Sequence, residues 1–250
     1  MKKRIETCFE TLPKGKDIIH LIDETMNYLH PGYFEKMSTS KEKYRAKKIK
    51  KIEKLYNKYI CPNTSKEFIQ SLGQLENDLK QDLDFFMESD PAINSIEEVV
   101  IAYPGFLAIT LYRIAHIIYN LEVQFVPRII TEYAHSKTGV DIHPAAKIGV
   151  PFFIDHGTGI VIGETAEVGD YVKIYHGVTL GALSLSDGAK LKGTKRHPTI
   201  KNHVTIYAGA SILGGETVIE DNVTIGSNVF IVNSVIKDTT VVYSQNNIKK

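Results

Sequence analysis

The 250-residue chain is poor in cysteine, in net charge and in long apolar runs, and each shortage excludes something. Its two cysteines, Cys8 and Cys61, show no metal-ligand spacing and no disulfide framework. A thiol pair of this kind fits a reducing cytoplasm. The formal net charge is +1, so no basic face for gripping a nucleic acid is predicted. The opening run MKKRIETCFETL is basic but lacks a continuous apolar core segment, which argues against a secretory signal. Apolar stretches such as Ile114 to Tyr119, broken by His116, are too short to span a bilayer. With 43% hydrophobic residues the chain can still bury one or two real cores.

What the chain does have is a beat of six. From Val140 to about Ile236 an aliphatic residue returns every sixth position, through Ile142, Ile148, Ile154, Ile160, Ala166, Val172 and Val178. A second register runs two residues ahead through Ile162, Val168, Ile174 and Leu180. Neither a helix nor an alternating strand has a period of six. Short repeats with one aliphatic per rung predict a parallel β-helix, each coil stacking on the one below. After Leu180 the beat stops for GALSLSDGAKLKGTKRHP and resumes at Ile200, which predicts a loop extruded from one corner at about residues 182–197. Further on, Ile200, Ile206, Ile212 and Val218 keep time, but the next rungs are Ile219, Ile225 and Ile231. One residue has been added near Gly214–Gly215, where glycine makes a bulged corner easy to form.

Upstream the pattern is helical. Residues 41–59, KEKYRAKKIKKIEKLYNKY, form a strongly basic helix, read as a solvated or packing face with anion binding as the alternative. Thr64-Ser-Lys-Glu67 and Ser95-Ile-Glu-Glu98 are capping boxes, each opening an apolar-periodic stretch. Pro104 begins a helix with a broad apolar stripe at Phe106, Leu107, Ile109, Leu111, Ile114 and Ile118. Gly139 is the predicted stop of a last helix, Val126 to Lys137. The fold class is therefore α+β: an all-α domain over residues 1–138, a parallel β-helix over 139–243, and a loose tail at 244–250.

The polar residues that interrupt the ladder carry the chemistry. Histidine transfers protons near neutral pH, and an adjacent carboxylate orients it. Asp141 and His156 lie fifteen residues apart, which in a coil of about eighteen residues brings them to neighbouring rungs on nearby corners. They form either an Asp–His pair within one subunit or two solvated corner residues. Arg196-His197-Pro198 closes the extruded loop, and a guanidinium beside an imidazole suits a carboxylate. Asp90-Pro91 reads as a turn between helices. His143, His156, His176 and His197 lack the close spacing of a zinc site, and no metal is expected.

Taken together, Asp141-Ile-His-Pro-Ala-Ala-Lys-Ile-Gly149, Asp155-His-Gly-Thr-Gly-Ile-Val-Ile-Gly-Glu-Thr165, Val178-Thr-Leu-Gly181 and Arg196-His-Pro198 resemble the serine O-acetyltransferases of the hexapeptide-repeat superfamily. The likeness extends to Asp90-Pro-Ala92 and to Gly105-Phe106 through Tyr112-Arg-Ile-Ala-His116, covering roughly residues 88–240. It implies a left-handed β-helix, with acetyl-CoA as co-substrate and L-serine as acceptor. His156 would be the general base and Asp141 its orienting partner, with direct attack on the thioester and no acyl-enzyme. Arg196 and His197 would hold the serine carboxylate, and Asp90 and Asp155 its ammonium. Backbone N–H groups near Gly181 would stabilise the oxyanion, and CoA would lie near Gly181, Ala182, Ala208 and Gly209 in a groove between subunits. A homotrimer or a dimer of trimers is implied, in the cytoplasm, with neither nucleic acid nor membrane as partner.

The chain also departs from the family pattern. Gly181-Ala182 replaces a Gly-Gly, the loop to Arg196 is longer than usual, and His176 has no role to carry over. The chain ends Asn247-Ile-Lys-Lys250 rather than on an isoleucine, so the family's complex with O-acetylserine sulfhydrylase is not carried over. Two other readings stay open at this point: a hexapeptide acyltransferase acting on a sugar or antibiotic hydroxyl, and a catalytically silent β-helix serving assembly.

Overall fold

The computed structural model describes residues 13–184 and 193–242; the expected loose tail at 244–250 lies outside the described residues. Six α-helices come first among these: α1 (Gly15–Leu29), α2 (Lys41–Tyr59), α3 (Ser65–Ser89), α4 (Ile96–Ala102), α5 (Pro104–Asn120) and α6 (Val126–Thr138), with a 3-10 turn at Pro62–Thr64. α2 and α3 bury one stripe each, whereas the last turns of α1 and most of α5 are buried on nearly every side. In α2 the buried residues are Tyr44, Lys48, Ile52 and Tyr56, and Lys48 reaches Glu24 (2.9 Å) and Glu35 (2.7 Å), so the basic helix is a packing element. Pro104 opens α5, whose stripe from Phe106 to Ile118 is buried, and Gly139 ends α6 in the left-handed conformation at φ 72°.

Two expectations are corrected here. The Ser95 cap forms, accepting from Glu98 N at 3.2 Å, but Thr64 caps nothing. Its hydroxyl is taken by Tyr56 Oη (3.0 Å) and the Cys61 carbonyl (3.4 Å), a tertiary competition invisible in the local motif. Cys61 is buried and disulfide-bonded, against the reading of a free thiol pair; spacing in sequence does not report which sulfurs packing brings together. Cys8 lies outside the described residues. No single described helix is long and apolar enough to cross a membrane.

From Asp141 the chain winds into a parallel β-helix with three faces. The first sheet stacks β1 (Asp141–Ile142), β4 (Val161–Ile162), β7 (Thr179–Gly181), β10 (Ser211–Leu213) and β13 (Phe230–Ile231). The second holds β2 (Lys147–Ile148), β5 (Glu167–Val168), β8 (Thr199–Ile200) and β11 (Val218–Ile219). The third holds β3 (Phe152–Asp155), β6 (Val172–Tyr175), β9 (Thr205–Ile206), β12 (Thr224–Ile225) and β14 (Thr240–Val241). The aliphatic rungs run down the interior as Ile142–Ile162–Leu180–Ile212–Ile231 on the first sheet, with the first four at 1% exposure or less.

Coil length explains the two offset registers. Ile142, Ile148 and Ile154 pair with Ile162, Val168 and Ile174, so the first coil takes 20 residues, whereas Ile162 to Leu180 takes 18. The two extra residues fall between Ile154 and Ile162, at the corner that carries His156. A further single insertion sits at Gly214–Gly215, where Ile200 pairs with Ile219, as the sequence predicts.

The helices dock on this first coil through one motif. On α5, Tyr112 Oη donates to Ala146 O (2.6 Å), Arg113 Nη2 to Gly149 O (2.9 Å), and His116 Nδ1 meets Pro144 O at 2.7 Å. Arg113 also holds the fully buried Asp82 of α3 through Nε (2.7 Å) and Nη2 (2.8 Å), and Asp82 accepts from Phe152 N at 2.9 Å. One buried ion pair thus ties two helices to β3, and both charges are bonded on every side that faces protein.

Candidate active site

Two corners of the β-helix gather the polar residues. The corner between the third and first sheets carries His156, with His176 one coil on and Ala208–Gly209 on the coil after that: Gly177 N donates to Thr158 O (3.0 Å) and Gly209 N to His176 O (2.9 Å). The corner between the first and second sheets carries His143, Glu164–Thr165 and Arg196–His197, with Gly181–Ala182 at its β7 entrance.

At the first of these corners His156 adopts φ 57°, a conformation uncommon for a residue with a side chain, and its imidazole is 71% exposed. Its Nδ1 lies 3.8 Å from Asp155 Oδ1, and its ring centroid 5.5 Å from that of His176 at a T-shaped angle. Asp141 does not meet it: among the described residues the two share no hydrogen bond. Asp141 stands opposite Val161, five residues beyond His156, because the enlarged corner carries the imidazole further round the coil than an eighteen-residue turn would. The Asp141 carboxylate instead faces Arg128 of α6 at 3.7 Å. Glu132, His135 and Asp141 each offer a donor atom within 4.8 Å of one another, with the Arg128 guanidinium lying against both carboxylates.

Asp90 and Asp155 converge on the same corner from different elements. Asp90 ends α3, and its Oδ1 accepts from Ala92 N (2.8 Å) in the predicted turn while its Oδ2 accepts from Tyr103 Oη (3.0 Å). Burial first, then Asp90, with Asp155 close enough to add to it, pushes the Tyr103 hydroxyl up to about 12. Tyr175 on β6 is raised in the same way, by burial and then by Asp155, Tyr207 and Asp90. Two carboxylates with two phenols beside them make this corner anionic and aromatic.

The second corner is cationic and closely bonded. Arg196 Nη2 donates to Glu164 Oε2, and Arg196 Nη1 is buried with no partner among the described residues. The ring of His197 is 8% exposed, and burial together with Arg196 holds its pKa down at about 4. Glu164 is lowered, chiefly by its bond to Arg196. His143 faces the same group: burial lowers it, Glu164 opposes that, and Arg128, Asp141 and Arg196 add smaller effects.

The structure therefore brings Asp90, Asp155 and His156 together and, separately, Arg196 and His197. Gly157 to Ile160 close a turn (Ile160 N to Gly157 O, 3.1 Å), and the stretch from Ile160 to Gly163 adds about 10 Å at ~3.3 Å per residue, so the two groups stand on the order of 10–15 Å apart in one copy. Gly181–Ala182 and Ala208–Gly209 are split between the same two corners. Sequence reasoning missed Tyr103, Thr165, Glu164 and Arg128, which act through contacts 13 to 32 residues away in the chain. Only Glu164-Thr165, inside the matched motif, carried any signal.

Comparison with known proteins places this geometry. No family model matches the chain. A plasmid-encoded serine acetyltransferase of Synechococcus elongatus is 49% identical over 138 residues, 54% of this chain and 43% of that protein. One from Bacillus pumilus is 51% identical over 122 residues, 49% of this chain and 54% of that protein. The matched stretch thus spans about half the length of these curated relatives. Among solved structures, serine acetyltransferase isoform 3 of Entamoeba histolytica, in complex with cysteine, aligns at TM-score 0.79 and 31% identity over 97% of this chain and 86% of that one. The Neisseria gonorrhoeae enzyme in complex with serine aligns at TM-score 0.67 and 31% identity, over 90% and 80%. At 31% identity over 97% of this chain and 86% of the Entamoeba isoform, the chain belongs to the serine acetyltransferase family.

Proposed function

We propose that the protein transfers acetyl from acetyl-CoA to the hydroxyl of L-serine, giving O-acetylserine for cysteine synthesis. The observation that carries this reading is the division of charge between the corners. An amino acid needs an anion at one end and a cation at the other, and Asp90 with Asp155 and Arg196 with His197 supply these. The buried Nη1 of Arg196, without a partner among the described residues, is a donor that a substrate carboxylate would satisfy.

His156 is the general base. The serine hydroxyl, with a pKa far above 7, attacks only as its proton leaves, and the exposed imidazole can take it. The oxygen adds to the thioester carbonyl, the tetrahedral centre collapses, and CoA leaves as the thiol on receiving the proton from His156. Among the described residues no Ser or Cys nucleophile stands beside His156, in keeping with direct transfer. Asp155 is the nearest carboxylate, at 3.8 Å, and Asp141, which does not reach His156 in one copy, is proposed as a second carboxylate to steady the imidazolium. CoA is proposed to run along Gly181–Ala182 and Ala208–Gly209.

Because the two charged groups are too far apart in one copy to hold one serine, we place the site between two copies. The His156 corner of one faces the Arg196 corner of the next, in a trimer or a pair of trimers. The test is CoA-thiol release from acetyl-CoA with L-serine, homoserine or a simple sugar. Serine-dependent release is expected; release that ignores serine or follows the sugar contradicts the proposal.

A further inference from the structure

The cationic corner is built from two pairs of neighbours. Arg196 and His197, at the end of the extruded loop, are each gripped by one of Glu164 and Thr165 on the adjoining coil. Thr165 does most of this. Its Oγ1 accepts the backbone N–H groups of Arg196 (2.9 Å) and His197 (3.1 Å). With both lone pairs used, the hydroxyl proton is left for His197 Nδ1, at 2.8 Å. The backbone N–H of Thr165 points at that same Nδ1 from 3.1 Å, and its carbonyl accepts from Lys195 Nζ at 2.7 Å.

Two donors aimed at one ring nitrogen leave it no choice. Nδ1 must be an acceptor, so in the neutral ring the proton sits on Nε2. The ring is also seated flat on Gly163, where a β-carbon would fall 2.0 Å from Cδ2 and 2.1 Å from Nε2. Burial and the neighbouring Arg196 keep the imidazole neutral at ordinary pH. Nε2 has no partner among the described residues.

Resting on the serine reading above, we propose that Thr165 is a positioning residue of the carboxylate site. It fixes His197 as the Nε2–H tautomer and pins the Arg196–His197 backbone, so that the imidazole donates beside the guanidinium. A neutral imidazole without this restraint presents a lone pair to the substrate carboxylate for part of the time, which repels it.

The test begins with the unaltered full-length protein: nitrogen NMR of the His197 ring at pH 7, assigned by its loss in His197→Gln. A protonated Nε2 with a bare Nδ1 is expected; a protonated Nδ1 overturns the proposal, whatever any variant does. Next come Thr165→Val and Thr165→Ser. Valine keeps the backbone N–H on Nδ1 but loses the hydroxyl and its three bonds, so it should weaken the tautomer preference and raise KM for serine about tenfold, the worth of one hydrogen bond, with kcat within about twofold. Serine at that position should restore both. A valine variant with unchanged KM and tautomer overturns the proposal, as does a serine variant that fails to restore them. If the valine variant does not fold, the unaltered protein and Thr165→Ser still decide. If no CoA release depends on serine at all, the activity reading falls while the NMR result still judges Thr165 by itself.

Discussion

His156 combines a left-handed backbone, an exposed ring and a carboxylate at 3.8 Å, features with no packing role. Replacing it with alanine should leave the fold intact and lower kcat by roughly two to four orders of magnitude, the range of general base catalysis. A loss below tenfold would remove it from proton transfer. Tyr103 is the less expected residue. It holds the Oδ2 of Asp90 while the turn holds Oδ1, so Asp90 is oriented on both oxygens. Tyr103→Phe should raise KM for serine several-fold with kcat little changed, one lost hydrogen bond's worth; a fall in kcat at unchanged KM would speak for a different role. The ligand roles of Asp90 and Asp155 were visible in the sequence only through resemblance, whereas Arg196 and His197 also stood out as a guanidinium beside an imidazole. What holds each of them was not visible, because a hydrogen bond across 13 or 32 residues leaves no periodic trace.

Among the elements, α5 and the first coil are joined most firmly. Its Tyr112, Arg113 and His116 all end on first-coil carbonyls, which gives a physical meaning to a motif otherwise legible only as a family resemblance. Asp82→Asn leaves Arg113 buried and uncompensated and should cost about 3–5 kcal/mol in a denaturant titration; a change under 1 kcal/mol would mean that solvent reaches the pair. Buried His30 and His197 add a pH dependence. Burial holds both at about 4 in the folded chain against an ordinary 6.5, so the unfolded chain takes up protons that the folded one refuses. Their contribution is intact above pH 6.5 and is lost as pH falls toward 4, by about 3 kcal/mol for a displacement of that size. His30→Phe should flatten that fall, and an unchanged slope would contradict it. The six-residue beat told the sheet architecture and the added residue at Gly214–Gly215. It did not reveal that the first coil is two residues longer than the next, since Ile154 and Ile160 keep the beat straight through the enlarged corner.

For the molecule as a whole, the consequence of that corner is that its polar residues belong to two separate groups. One copy offers His156 near two carboxylates, and elsewhere the Arg196–His197 cationic corner; under the proposed reading neither alone holds an amino acid. The sequence placed Asp141 and His156 on nearby rungs, but the coil length that sets their separation, and the width of the face between the groups, are properties of the wound chain. The most direct measurement is complementation. His156→Ala and Arg196→Ala chains, each impaired when assembled alone, are mixed in equal amounts, dissociated, reassembled and assayed at low serine. In a cyclic trimer every mixed assembly contains one site with both corners intact, so activity should return to about a quarter of the unaltered level. A mixture no more active than the average of its two components would place His156 and Arg196 in a single-copy site and contradict the account.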